Sequence, residues 1–155
     1  GAGEATPVDS IAEARAALGA LAAYFRDREP SSPARLLVRR AEQLVGVSFV
    51  DALRSLAPDR LAAAVIQIDG VPAFGLQVEA LGADLDGETP GEDADGARRD
   101  YRVDDRAAAA ALLAEIVRFY RRAEPSSPIP ALLERAHRFA ARDFASILKE
   151  LTPPA

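Results

Sequence analysis

The chain of 155 residues is 49% hydrophobic and 28% charged, the balance of an ordinary soluble globular protein with enough apolar material for a core. Zero cysteines exclude disulfides and thiolate metal sites, no apolar stretch approaches the length of about 20 residues that spans a bilayer, and the first 30 residues lack a secretory-signal pattern, so a cytoplasmic place is expected. The net charge of -5 is concentrated between Gly82 and Asp100, where seven acids meet only Arg98 and Arg99, and a neutral remainder gives neither nucleic acid nor an anionic membrane the basic surface it needs.

Ser10-Ile11-Ala12-Glu13 has the form of a capping box, so a first helix is expected to start near Ile11. Ile11, Ala14, Leu18, Leu21, Ala22 and Phe25 recur at three- and four-residue spacing and end before Pro30. Ser32-Pro33 then starts a second helix running to about Val45, with Leu36, Leu37, Ala41, Leu44 and Val45 expected to face inward. Gly46 suits a left-handed C-terminal position, and Ser48 caps a short third helix bearing Phe49, Ala52, Leu53 and Leu56, which Pro58 stops.

Val65-Ile66-Gln67-Ile68 before Asp69-Gly70 reads as a small hairpin near 65–78 or as an extended strip over the helices. Residues 82–102, with four glycines and most of the acids, read as a mobile acidic linker. A helix from about Asp105 to Ala123 follows, with Leu113, Ile116, Val117 and Tyr120 as its stripe. Ser127-Pro128 opens the next, carrying Leu132, Leu133, Ala136, Phe139 and Ala140, and Asp143 caps a last helix with Phe144, Ile147, Leu148 and Leu151.

The two halves repeat each other. Glu29-Pro30-Ser31-Ser32-Pro33 returns as Glu124-Pro125-Ser126-Ser127-Pro128, and at a fixed offset of 95 residues 19 of 51 aligned positions, Val8 to Pro58 against Val103 to Pro153, are identical. The expected fold is therefore all-α: a tandem repeat of two three-helix units, each a helical hairpin plus a short third helix. One domain would hold repeat 1 at 8–61, a connector at 62–102 and repeat 2 at 103–155. Units of about 50 residues bury little surface alone, so the copies are expected to pack on each other or on a partner.

No catalytic, cofactor or metal site is assembled in the sequence. His137 stands alone, opposite Glu42 in the repeat, without a second histidine or a cysteine to complete a metal site. The serines of the EPSSP tracts lack a nucleophile elbow, the acids of the linker miss calcium-loop spacing, and phosphate-loop motifs are absent. Glu29 with Arg40, and Glu124 with Arg135, are spaced so that each arginine reaches back to its turn, as a turn-locking ion pair or a partner-binding element. Tyr24, Phe25, Phe119 and Tyr120 fall on apolar stripes and are expected in the core.

The string YFRDREPSSPARLLVRRAEQLVGVSFVDALRSLAPD, residues 24–59, resembles the helical region downstream of the conserved N-terminal domain in TssA proteins, also called ImpA-related, of the bacterial type VI secretion system. RFYRRAEPSSPIPALLERAHRFAARDFASILKELTP, residues 118–153, resembles the same segment independently. The resemblance implies a non-enzymatic assembly factor without cofactors that binds baseplate, tube or sheath subunits, often as a ring-forming homo-oligomer. A helical-repeat adaptor gripping a peptide or partner helix is the alternative. Two EPSSP units stand here where the family pattern has one, and the family's N-terminal domain is not in this sequence. With no methionine and a start at Gly1-Ala2-Gly3, the sequence is expected to begin inside a longer protein or after a processed tag.

Overall fold

A computed structural model describes residues 5–88 and 99–153. In chain order the elements are α1 (Ile11–Arg28), α2 (Ala34–Gln43), α3 (Phe49–Leu56), α4 (Pro58–Ala63), β1 (Val65–Ile68), β2 (Phe74–Gln77), α5 (Val78–Ala83), α6 (Arg106–Ala123), α7 (Ile129–Phe139) and α8 (Phe144–Leu151). The fold is mostly helical with one small sheet, and it divides into two compact units. Their described residues are 5–45 with 99–153, and 46–88. The division falls inside the first copy of the repeat, between Val45 and Gly46.

In the first unit, α1 and α2 form one hairpin and α6 and α7 another, with α1 against α6 and α2 against α7. The α2–α7 seam is the broadest helix contact. Ala34, Val38 and Ala41 meet the face of Ile129, Leu133 and Ala136, and all six are fully buried. Alanines on both sides let the backbones approach closely, while Val38, Ile129 and Leu133 fill the space between them.

The inward face of α2 departs from expectation. Leu36 is 73% exposed and Leu37 only half-buried, while Val38 takes the core position. Three adjacent apolar residues cannot share one helical face, and the 34/38/41 stripe is the one that meets α7. On α6 the expected stripe is buried, and the aromatic pairs of the two hairpins match. Tyr24–Phe25 and Phe119–Tyr120 each stack edge to face at 5.1 Å.

The capping box at the start of α1 forms with one change. Ser10 Oγ accepts the Glu13 amide at 3.1 Å, but the Glu13 carboxylate accepts from Asp9 N–H, at 3.1 Å, rather than from the cap residue. Glu13 is buried and also receives Arg99 at 3.3 Å. Arg99 further binds Asp9 at 2.6 Å, the Tyr101 hydroxyl donates to the Pro7 carbonyl at 2.7 Å, and Val8 N–H donates to Glu115 at 3.0 Å. Burying Val8 under this set of bonds ties the segment before α1 to the start of the second hairpin. The expectation of a mobile linker over 82–102 is corrected at both ends: 82–83 belong to α5, and Arg99 and Tyr101 are fixed by these partners. Residues 89–98 of that linker lie outside the described residues.

The second unit is α3, α4, β1, β2 and α5 around a small core of Val50, Leu61 and Val78, with Leu53 and Ala64 beside it. Pro58 ends α3 as expected but also opens α4, where a proline at the first helical position gives up only an orphan amide. On α3 the buried residues are Val50 and Ala52, and Phe49 is exposed. β1 and β2 pair antiparallel with Ile66 opposite Leu76 and Ile68 opposite Phe74, so the hairpin reading of 65–78 is the one that forms. Gly82 lies so close to α3 that an added Cβ would sit 2.5 Å from a Val50 methyl, which explains a glycine inside α5. Among the described residues no helix is long and apolar enough to cross a membrane.

Two substitutions test the bundle. Leu133→Ala should cost about 2–5 kcal/mol by opening a cavity in the α2–α7 seam, read as a lower urea midpoint. Tyr120 is fully buried and its hydroxyl has no hydrogen-bond partner among the described residues, whereas the aligned residue of the first copy is Phe25. Tyr120→Phe should therefore raise stability by about 1 kcal/mol, and a lowered midpoint would show that the hydroxyl is satisfied in solution.

Candidate functional site

Each EPSSP tract closes a helical hairpin in the same way. Glu29 N–H donates to Phe25 O at 3.0 Å, Ser32 N–H to Glu29 O at 3.1 Å, and Ser32 Oγ accepts the Ala34 amide at 3.2 Å. In the second copy Glu124 N–H donates to Tyr120 O at 2.7 Å, Ser127 N–H to Glu124 O at 3.0 Å, and Ser127 Oγ accepts the Ile129 amide at 3.1 Å. The serines therefore hold the turns, and α2 proper begins one residue later than its Ser-Pro signal indicated.

Two members of the expected turn pairs, Glu29 and Arg135, pair with residues of other helices. Glu29 is held by the Tyr24 hydroxyl and by Arg106 at 3.3 Å from the start of α6. Burial, then this carboxylate, pushes the Tyr24 hydroxyl up to about 12. Arg135 turns the other way. Its guanidinium lies 5.3 Å from the Phe139 ring, one helical turn on, and binds Glu150 of α8 at 2.7 Å. Arg40 lies on the exposed face of α2, and Glu124, Pro125 and Ser126 are exposed at the α6–α7 turn.

Helix α8 is attached by polar bonds rather than by burial. Asp143 caps it by accepting the Ser146 amide at 2.7 Å, and Arg142 binds Ser146 Oγ at 2.7 Å and Glu150 at 2.6 Å. Arg142 also lies 5.7 Å from the Phe139 ring, so that ring has a guanidinium from each side of the α7–α8 corner. Ala141 makes the corner with φ 63°, the conformation taken at the aligned place in the first copy by Gly46 at 77°. A Cβ there costs about 1 kcal/mol, which the Arg142 bonds offset.

No residue of α8 is buried, although Phe144, Ile147, Leu148 and Leu151 form a stripe at helical spacing. Phe144 is 79% exposed. This stripe, Leu36 and Phe139 line a groove of about 820 Å³ whose other wall is the first EPSSP tract, Glu29 to Pro33. Arg28, Arg35, Arg106 and Arg142 edge it, against Glu29 as its acid. The structure thus joins the first EPSSP tract to the last helix. The sequence signal for the uncovered helix was its 144/147/148/151 stripe, but periodicity does not say whether a stripe is covered.

A second groove, of about 860 Å³, lies between α6 and α7, floored by Leu113, Val117 and Leu133 and edged by Arg118, Arg122, Arg138 and the exposed His137. Arg121 binds Glu134 across it. Among the described residues no three acids, histidines or cysteines are placed to hold a metal ion. What both grooves offer is an apolar floor with guanidinium groups at the rim, suited to gripping a protein segment.

Comparison with known proteins gives one informative likeness. Over 122 residues, 78% of this chain, the sequence is 34% identical to a protein of Pseudomonas aeruginosa described as "Type VI secretion system component TssA1". The chain spans 31% of that protein's length. No protein-family profile matches the chain, and no solved structure matches it.

Because α8 is held by ions, its attachment should follow pH. The hydrogen bond from Arg142, then the charges of Arg135 and Arg138, keep the Glu150 carboxyl below its usual value. A depressed carboxylate contributes fully above the unfolded value, about 4.3, and loses its contribution as pH falls through the lower folded value. Amide protection along α8, corrected for intrinsic exchange, should therefore hold at neutral pH and drop below about pH 4. Glu150→Gln should show the acid-state protection already at neutral pH, and unchanged protection in both cases would mean that packing rather than charge holds the helix.

Proposed function

We propose that this chain is a non-enzymatic assembly component of a bacterial type VI secretion system. It acts as a TssA-like scaffold that binds baseplate, tube or sheath subunits. The observation that carries the reading is the likeness to TssA1 along most of the chain. The geometry supports it: two apolar grooves with charged rims are presented on a four-helix bundle. A general peptide-binding adaptor shares that geometry, but the likeness to a secretion component favours the scaffold. Within this reading the two hairpins of the repeat stand where two protomers of a single-copy relative would pack, as an internal pseudo-symmetric pair.

The test is co-elution of the purified chain with purified baseplate, tube and sheath subunits on size exclusion, with absolute mass by light scattering. A complex with at least one subunit is expected. Failure to bind any of them at concentrations of about 50 µM would overturn the scaffold reading.

A further inference from the structure

We infer that the groove between the first EPSSP tract and α8 takes an amphipathic helix with acidic flanks from a partner protein. This rests on the scaffold reading above and names the partner segment at that site.

The shape of the floor sets the secondary structure of the occupant. Phe144, Ile147, Leu148 and Leu151 form an i, i+3, i+4, i+7 ridge along a helix of eight residues, about 12 Å long. Such a ridge packs into the groove beside the matching ridge of another helix, two turns against two turns. Leu36, 73% exposed, supplies an apolar contact from the facing wall.

Charge decides what that helix carries on its flanks. Of the four arginines at the rim, Arg106 is engaged by Glu29 and Arg142 by Glu150. The rest of the rim's positive charge sits on Arg28 and Arg35: Arg35 also donates to the Pro30 carbonyl at 3.5 Å, and the acid beside both, Asp27, is already bound by Arg26 at 2.8 Å. An incoming helix with glutamates or aspartates beside its apolar stripe pairs with both.

The same charges argue against the two occupants the chain itself could supply. A second copy docking groove to groove would bring Arg28 and Arg35 toward their own twins, a like-charge contact that is unfavourable. The acidic stretch 84–100 has the right sign, but it carries Leu85 as its single large aliphatic residue and so lacks the repeated anchors the floor requires.

The experiment titrates the whole chain against a labelled synthetic peptide of about four helical turns, with leucine and phenylalanine at i, i+3, i+4 and i+7 and glutamates on both flanks, read by fluorescence anisotropy. A twin peptide with lysine for every glutamate and a single-stranded oligonucleotide are the comparisons. The acidic peptide should bind at least about tenfold tighter than its lysine twin. Phe144→Asp and Arg35→Glu, both at exposed positions, should each weaken it about tenfold while the helical circular dichroism stays unchanged. Equal binding of the twin, tighter binding of the oligonucleotide, no binding of the acidic peptide at about 1 mM, or indifference to both substitutions would each overturn the inference. Peptide failure with secretion subunits still co-eluting removes this inference alone. Peptide binding through Phe144 without any co-eluting subunit removes the scaffold reading and leaves the groove assignment standing.

Discussion

The close contact of α2 with α7 sets the geometry on which the rest of the first unit depends. Its three alanines, Ala34, Ala41 and Ala136, have no side chain to spare, so any enlargement there would push the two hairpins apart. Because α2 and α7 each follow an EPSSP turn, fixing their crossing also fixes where α1 and α6 lie. Tyr24, Phe25, Phe119 and Tyr120 are then enclosed between the helices.

The equivalence of the halves breaks at specific residues, and each break has a consequence. After α2 the chain turns at Gly46, free to take φ 77°, and α3 belongs to the second unit. After α7 it turns at Ala141 with φ 63°, and α8 remains in the first unit, held by Arg135, Arg142 and Glu150. The first copy has Val47 where the second has Arg142, so it lacks the guanidinium that makes this corner. The aligned helices α3 and α8 thus lie in different units.

That difference accounts for the exposed groove. A helix docked by charge and a cap, with no buried residue, leaves its apolar stripe available, whereas a helix docked by its stripe would have nothing left to offer. Guanidinium groups serve both purposes here. Arg142 and Arg135 stack on Phe139 and hold α8 in place, and Arg28 and Arg35 give the rim its sign.

The six longer helices, the caps at Ser10, Ser48 and Asp143 and the turn role of both EPSSP tracts follow from local rules, because capping and proline placement act within a few residues, while at 65–78 alternation left a hairpin and an extended strip open. Local rules failed where the answer depends on what lies across the fold. Leu36 and Val38 are both apolar and only two residues apart, and it is Val38, on the stripe with Ala34 and Ala41, that is buried while Leu36 is exposed. Glu29 and Arg135 each had a candidate partner in their own hairpin and are bound by Arg106 and Glu150, on another helix. The sequence by itself determined the six longer helices and their order, while the short α4 and α5 were not legible in it. Which apolar stripes are covered, which charges pair and which part of the surface is left to a partner were decided by the tertiary structure, since burial and ion pairing depend on distances that separation along the chain does not contain.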